Sequence, residues 1–360
     1  MDFNLSEDTE MVRATAHEFV RRDLLPLEPK FLNAKTKQER AEIARQATDK
    51  LKEIGLYSAG VPEQFGGGGL GLIEACLIAE ELSTTIIPVE WGDLTPILYE
   101  CSEQQKPTFL LPVVSGEKSY AVAFYEPKPF AIPEQMATTA IPDGNDYIIN
   151  GIKELSRPDF DFCLLFATTS EGITCFIIER DTSNTQIFTE NDTPLISCRD
   201  TRVSADKILG RPGQAMSLGQ KWFALARVSR AAAITGVCRR IVETTALYAR
   251  DWKSMNEPIL AKKEVQRTLA EMAGNYESLR LLVYHTAWLA TTSTSIQYNS
   301  LLLKLQAQTV LQRMVNDAIR IHGGTIPPVE HWLVKASTEG ETLDMVRLAV
   351  SYEIINRFTS

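Results

Sequence analysis

Two kinds of hydrophobic pattern divide the chain. Apolar residues recur at helical spacing up to about residue 112 and again beyond residue 213, whereas short runs of β-forming residues fill the middle. The pattern predicts a helical domain over residues 1–112, a small antiparallel β domain over 113–213 and a second helical domain over 214–360. The predicted fold class is therefore α+β, with most of the chain in helices.

Local signals place the first helices. Ser6 precedes a run with Glu7 and Asp8 in its first turn, which is typical of an N-cap. Further helices are predicted over 37–54 and 73–82. The glycine run before the latter lacks a following Lys-Ser/Thr pair and a clear preceding strand, so we interpret it as a flexible turn and not as a phosphate loop.

The middle and C-terminal segments are separated by turn signals. Strands are predicted over 119–124, 137–141, 147–149, 162–168, 173–178 and 185–188. A long helix starts near Met216 and stops at Asn256-Glu257-Pro258, because proline cannot continue a helix. Helices are then predicted from Ile259 to Met272 and over 274–291, 299–320 and 342–358. The helix over 299–320 ends at His322-Gly323-Gly324, with glycine at the C-cap.

Composition and charge narrow the class of function. The net charge of −9 argues against nucleic acid or an anionic membrane as the main partner. No apolar stretch reaches the roughly 18 residues that span a bilayer, and the N-terminus has no signal-peptide pattern, so we expect a cytoplasmic protein. The six cysteines form no C-x-x-C pair and the four histidines show no ligand spacing, which predicts buried free thiols and no zinc site.

Two separated sets of motifs resemble one family, the acyl-CoA dehydrogenases. The first set is Tyr248-Ala249-Arg250-Asp251, Glu257-Pro258-Ile259, Val265-Gln266 and Leu269-Ala270-Glu271-Met272. The second set is Gly55-Leu56, Val61-Pro62-Glu63, the glycine run with Leu70 and Glu80-Glu81-Leu82. The resemblance covers nearly the whole chain. It implies the acyl-CoA dehydrogenase architecture, with an N-terminal helical domain, a middle antiparallel β domain and a C-terminal helical bundle.

The resemblance implies a reaction and a cofactor. Acyl-CoA dehydrogenases oxidise the α–β bond of an acyl thioester: a carboxylate removes the α-proton while FAD accepts the β-hydride. The family segment that holds the flavin ring, Thr-Glu-Pro-Gly-x-Gly-Ser-Asp, corresponds here to residues 125–132. Glu126 and Pro127 are retained, but Lys128 and Phe130 replace the two glycines. Glu126 is a candidate cofactor residue, and a loop released from cofactor binding is the alternative.

The next strand carries a second flavin motif in the family, Asn-Gly-x-Lys-x-Trp-Ile-Thr. Here it reads Asn150-Gly151-Ile152-Lys153-Glu154-Leu155-Ser156-Arg157, so Leu155 stands at the aromatic position. Ser156 is a candidate cofactor hydroxyl, although it comes one position early, and a shift of one residue turns a side chain to the other face of a strand.

In the family, a neighbouring subunit binds the pyrophosphate and adenine of FAD. The arginine of that motif is Trp252 here, and the glutamine of Gln-x-x-Gly-Gly is Arg320, while Gly323 and Gly324 are retained. Arg320, Gly323 and Gly324 are the candidate cofactor residues of this segment. Arg250, Lys263 and Arg320 either replace the missing arginine charge or are solvated cations on helix surfaces.

The catalytic base and the substrate contact are changed as well. The family glutamate of Tyr-Glu-Gly-Thr falls at Gly340, so its neighbours Glu339 and Glu341 are the candidate bases. The alternative is that both are acidic residues at a helix start. Arg227 matches a family arginine and is a candidate for binding the CoA portion, with a buried or paired helix arginine as the alternative.

These substitutions leave two classes of function. The first is a flavin-dependent acyl-CoA dehydrogenase subunit that works with a complete homologous partner and shares FAD with it. The second is a flavin-free protein that binds an acyl thioester or has a structural role. A self-sufficient dehydrogenase using Glu339 or Glu341 is a third possibility. The helical C-terminal domain predicts an oligomer, by analogy with four-subunit packing in the family.

Overall fold

A computed structural model describes residues 5–89, 91, 96–128, 135–191, 193–292, 295–324 and 350. The chain divides into two compact units. The helical unit is drawn from Met1–Glu63, Gly67–Asp93 and Ala224–Ser360, and the sheet unit from Gln64–Gly66 and Leu94–Phe223. The predicted boundaries of three domains stay a prediction.

The N-terminal helices of the helical unit begin at the predicted caps. The elements are α1 (Glu7–Phe19), α2 (Glu28–Asn33), α3 (Lys37–Glu53) and α4 (Leu72–Leu82). The Ser6 hydroxyl accepts the Thr9 backbone N–H, which confirms the predicted N-cap of α1. Thr36 and Glu39 form a reciprocal capping box at the start of α3. Residues Cys76 to Leu82, which form the end of α4, are all buried, including the two glutamates.

Long helices complete the helical unit. They are α6 (Ala215–Asp251), α7 (Lys263–Thr292) and α8 (Gln297–Ile321), and α6 begins in the sheet unit. The predicted break between Met272 and Gly274 is wrong, because α7 runs through both residues without interruption. A glycine inside a helix lowers the stability of the helix by only about 1 kcal/mol. Tertiary packing of the neighbouring turns stabilises the helix by more than that amount. The last predicted helix, 342–358, lies outside the described residues.

The break after α6 is a small hairpin. Strands β9 (Lys253–Ser254) and β10 (Glu257–Pro258) pair antiparallel. Met255 and Asn256 join them with φ angles of 54° and 68°, so both central residues of the turn are in the left-handed region. This geometry matches the twist of the hairpin, and glycine or asparagine usually provides it.

A single eight-stranded sheet forms the centre of the sheet unit. Its strands are β1 (Tyr120–Ala123), β2 (Thr139–Asp143), β3 (Asp146–Glu154), β4 (Phe162–Thr169), β5 (Gly172–Glu179), β6 (Thr185–Glu190), β7 (Thr193–Ser204) and β8 (Ile208–Leu209). The order is β6-β7-β3-β2-β4-β5-β8, with β1 also pairing with β4. The short helix α5 (Leu111–Val114) precedes the sheet.

The sheet is mostly antiparallel, as predicted, but β4 pairs in parallel with both β1 and β2. Strand β4 is buried along nearly its whole length, with Leu164 and Leu165, which point to opposite faces, both at 0% exposure. A continuous apolar run of this kind is typical of a central strand covered on both faces. Strands β7 and β8 were not predicted.

Candidate cofactor and substrate sites

Glu126 lies in the segment after β1, and its carboxylate is bound from within the sheet unit. It accepts hydrogen bonds from the Ala137 N–H at 3.0 Å, the Thr138 N–H at 2.9 Å and the Thr138 hydroxyl at 2.7 Å. The ammonium group of Lys153 lies 3.0 Å from the same carboxylate. The carboxylate therefore joins the two ends of the segment from 126 to 138.

Lys153 is the partner that sequence reasoning missed. It lies on β3 at 0% exposure and also donates to the Phe124 carbonyl at 2.9 Å. Burial lowers the pKa of Lys153 from 10.5 to about 8, and the charge of Glu126 limits that fall. The sequence contained a signal for this role. Lys153 lies an even number of positions from Tyr147, Ile149 and Leu155, which are all buried, so alternation along the strand places it on the same face.

The contacts of Glu126 favour its charged form. Burial alone would raise the pKa of Glu126, but the hydrogen bonds from Ala137 and Thr138 and the charge of Lys153 hold it below its ordinary value of 4.5. A buried ion pair with additional hydrogen bonds fixes geometry more than it adds stability. The observed contacts of Glu126 are therefore those of an internal clamp.

Leu155 is buried, whereas Ser156 is exposed and its polar groups bind the backbone of β1. The Ser156 hydroxyl accepts the Val122 N–H at 2.9 Å, and the Ser156 N–H donates to the Val122 carbonyl at 3.0 Å. Leu155 is 4% exposed within the core of the sheet unit. Among the described residues of this segment, Glu126, Leu155 and Ser156 therefore contact groups of their own sheet unit. The direct roles assigned to Glu126 and Ser156 stay predictions, and residues 129–134 lie outside the described residues.

Arg227 lies in the helical unit, between α6 and α8. It is 8% exposed, and its guanidinium lies 3.4 Å from the Gln297 amide oxygen and 3.5 Å from the Ser300 hydroxyl. It lines a cavity of about 10 Å³ together with Arg230, Lys304 and other residues of the two helices. These are the contacts of an interhelical arginine, and contact with CoA stays a prediction.

The end of α8 has the predicted glycine cap. Gly323 and Gly324 have φ angles of 70° and 94°, and their N–H groups return to the carbonyls of Arg320 and Ile319. Arg320 is exposed and forms an ion pair with Asp317 at 2.6 Å. The ring of His322 stacks on Tyr248, which in turn stacks on Trp252, the residue at the family arginine position.

The remaining predictions concern the base, metals and membranes. Glu339 and Glu341 lie outside the described residues, so their catalytic role stays a prediction. Among the residues that the structure describes, no group of three or more His, Cys, Asp or Glu side chains is placed to hold a metal ion. No helix within the described ranges is long and apolar enough to cross a membrane.

The predicted state of the cysteines is confirmed. All six are buried free thiols. Burial raises the pKa of Cys101 to about 12 and that of Cys198 to about 11, so neither is a reactive thiolate at neutral pH.

Comparison with known families identifies the class. Residues 6–117 match the acyl-CoA dehydrogenase N-terminal domain, and residues 215–333 match the acyl-CoA dehydrogenase C-terminal domain. The two matches together cover more than half of the chain, which belongs to the acyl-CoA dehydrogenase family of flavoprotein oxidoreductases. The predicted family and fold class are confirmed.

The individual relatives have low sequence identity to this chain. The chain is 29% identical over 359 residues to (R)-benzylsuccinyl-CoA dehydrogenase of Thauera aromatica, covering 90% of this chain and 88% of that protein. It is 27% identical over 341 residues to 3-(aryl)acrylate reductase of Clostridium sporogenes, covering 89% of each. An acyl-CoA dehydrogenase of Bacillus anthracis, solved in complex with FAD, superimposes with a TM-score of 0.84 at 23% identity, covering 99% of this chain and 68% of that one.

Proposed function

We propose that this chain is a flavoprotein subunit that takes part in α–β oxidation of an acyl-CoA thioester only together with a complete homologous subunit. The observation that carries the proposal is the set of contacts that Glu126 and Ser156 make within their own sheet unit. Glu126 stands in the segment where the family resemblance places flavin contacts, and Ser156 stands one position before the family hydroxyl. The isoalloxazine ring would therefore be held by the partner, with FAD in the mixed assembly.

Retention of the scaffold supports a subunit role over loss of function. Buried apolar side chains form a hydrophobic core in each unit. The fold matches that of the FAD-bound relative over 99% of this chain. The relatives also support an acyl-CoA substrate, because one is named as a dehydrogenase of a CoA thioester. The second relative is named as a reductase of an aryl acrylate, whose double bond is the kind that α–β oxidation creates.

The test is the visible absorbance spectrum of the protein. The chain is purified alone and after co-expression with a complete acyl-CoA dehydrogenase subunit from the same organism. We expect the flavin band only in the mixed assembly, together with turnover of an acyl-CoA. A colourless mixed assembly would favour the flavin-free alternative, and a yellow, active preparation of the single chain would overturn the proposal.

The self-sufficient alternative has its own test. If the single chain were active, Glu339→Gln or Glu341→Gln would abolish turnover, because one of the two carboxylates must accept the α-proton. Under the proposed function, both variants leave the turnover of the mixed assembly nearly unchanged, since the base then belongs to the partner. A loss of that turnover in either variant would contradict this assignment.

A further inference from the structure

Two side chains of the sheet unit can react with their own backbone, because glycine follows them. Asp143 precedes Gly144 and Asn150 precedes Gly151, and no other aspartate or asparagine of the sequence is followed by glycine. In such a pair the backbone nitrogen of the glycine attacks the side-chain carbonyl carbon, since glycine has no Cβ to hinder the approach. Asp143 ends β2 and Asn150 lies within β3, so the two pairs have different surroundings.

The reaction has two steps and needs only water. First, a bond forms between the glycine nitrogen and the side-chain carbonyl carbon, and an aspartic acid loses water whereas an asparagine loses ammonia. The product is a cyclic succinimide. Water then opens the ring at either carbonyl, which gives aspartate or isoaspartate, and in isoaspartate the main chain continues through the side-chain carbon. In unstructured peptides the asparagine–glycine pair reacts faster, so the sequence alone points to Asn150.

The fold restrains Asn150 on both sides of the reacting bond. Its amide nitrogen donates to the Asp200 carboxylate at 3.0 Å, and its amide oxygen accepts the Asp200 N–H at 2.8 Å. Ring closure would turn the amide over the next backbone nitrogen and break both bonds. Gly151 is paired with Cys198 of β7, and a Cβ on Gly151 would overlap the side chain of Thr138. The backbone therefore has little room to rotate at this pair.

The Asp143–Gly144 pair is open. Asp143 pairs with Asp146 across a two-residue turn, so Gly144 is the first turn residue and lies outside the strands. The Asp143 side chain is 54% exposed. Apart from the chain neighbours of Gly144, no described atom lies within 4 Å of the position that a Cβ would take on it. The turn therefore leaves space for the side chain to close on the glycine nitrogen and for water to open the ring.

An exposed arginine restrains the open turn only weakly. Arg202 on β7 forms an ion pair with the Asp143 carboxylate and also donates to Asp146 at 2.9 Å. Ion pairs between exposed side chains contribute little to stability, because water and salt screen them and the side chains lose freedom. The Asp143 carboxylate therefore leaves Arg202 easily, whereas Asn150 has to break two hydrogen bonds within a packed strand.

We propose that Asp143 is the site at which the folded chain converts spontaneously to isoaspartate, and that the fold protects Asn150 from the same chemistry. The order of reactivity in the folded chain is the reverse of the order in the unfolded chain. Isoaspartate adds a carbon to the main chain of a two-residue turn, so the pairing of Asp143 with Asp146 and the contact with Arg202 are lost. The proposal is independent of the proposed function, because it involves neither flavin nor substrate.

The test compares the full chain incubated at neutral pH when folded and when unfolded in guanidinium chloride. Peptide mass spectrometry with electron-transfer fragmentation locates isoaspartate, and a gain in mass locates deamidated asparagine. The folded sample should accumulate isoaspartate at Asp143 while Asn150 stays intact, and the unfolded sample should lose Asn150 first. Faster reaction of Asn150 than of Asp143 in the folded sample would overturn the proposal. So would a folded sample in which Asp143 stays unchanged while the unfolded sample converts at Asp143.

Two variants test the restraints one at a time. Asp200→Gly removes the carboxylate acceptor and suits the φ of 50° at this position, so Asn150 of the folded chain should deamidate about fivefold faster. Arg202→Ala should speed the conversion of Asp143 about threefold. Asp181→Ala removes an exposed aspartate elsewhere in the sheet unit and, as the control, should change neither rate. An unchanged Asn150 rate in Asp200→Gly would contradict protection by the Asp200 side chain.

Discussion

A single buried lysine, Lys153, gives Glu126 a charged partner within the sheet unit. The sequence placed Glu126 among the cofactor contacts, because motif comparison reports which residue types are retained and not which partners they meet. The partners come from distant positions. Lys153 lies on β3, and Thr138 immediately precedes β2. The alternation of side chains along the strand indicated that Lys153 points inward, and Lys153 also stands at the lysine of the family motif.

Breaking this pair should be costly. Lys153→Met leaves the Glu126 carboxylate buried without its cation, and we expect a loss of about 3 kcal/mol in the free energy of unfolding of the sheet unit. The double variant Glu126→Gln, Lys153→Met removes both charges and should recover part of that loss. Urea denaturation followed by circular dichroism measures both effects. Equal stability of the unaltered chain and Lys153→Met would rule out the clamp.

The same lysine predicts a pH dependence. Its folded pKa of about 8 lies below the ordinary value of 10.5, so between these values the unfolded chain binds more protons than the folded one. Lys153 should therefore make stability rise with pH between about 8 and 10.5 and contribute no slope below that window. Lys153→Met should lack this component of the slope in urea denaturation series across that range. An identical slope in the two proteins would contradict the lowered pKa.

At the scale of elements, helix α6 crosses α4 through a glycine. A Cβ on Gly236 would lie 2.0 Å from the backbone carbonyl oxygen of Glu80, so the two helices can approach this closely only without a side chain. Arg239, one turn further along α6, donates from both terminal guanidinium nitrogens to the Glu81 carboxylate on α4, at 2.9 and 2.6 Å. The glycine allows the close approach of α4 and α6, and the ion pair joins the two helices at the same crossing.

Two glycine substitutions should have opposite effects. Gly236→Ala forces α4 and α6 apart and should cost about 3 kcal/mol. Gly274→Ala lies within α7, where no described atom comes within 4 Å of the new methyl group, so it should add about 1 kcal/mol through helix propensity. Thermal unfolding of the two variants measures both changes. A destabilised Gly274→Ala would show that this glycine has a packing role.

The hairpin allows a test of turn geometry. Met255 is 98% exposed and has a φ of 54°, so its side chain loses no packing when removed and its backbone conformation is unfavourable for a residue with a Cβ. Met255→Gly should therefore raise the free energy of unfolding by about 1 kcal/mol. Urea denaturation measures the change, and a destabilised variant would mean that the methionine makes a stabilising contact.

Elements with local signals were predictable, and elements set by tertiary contacts were not. The Ser6 cap, the long helix α6 and the glycine end of α8 follow from sequence close to each residue. Strand β7 mixes polar and apolar residues because its burial changes along its length, so its pattern is weak. The parallel pairing of β4 with β1 and β2 is a property of topology, which periodicity does not encode.

For the whole molecule, the chain keeps the family architecture while several residues of the family's cofactor motifs are replaced. Glu126 and Ser156, the candidate residues of the flavin-ring segments, bind groups of their own sheet unit. Fold similarity therefore establishes the family, and the chemistry has to be argued from the site. A subunit that keeps its scaffold and relies on a partner for ring contacts accounts for both observations.

The ratio of FAD to protein in the purified mixed assembly, from visible absorbance and quantitative mass spectrometry of both chains, distinguishes a shared flavin from an independent one. We expect one flavin for each pair of unlike chains, because only the complete subunit would hold an isoalloxazine ring. One flavin for every chain, or bound flavin in the single-chain preparation, would contradict this expectation.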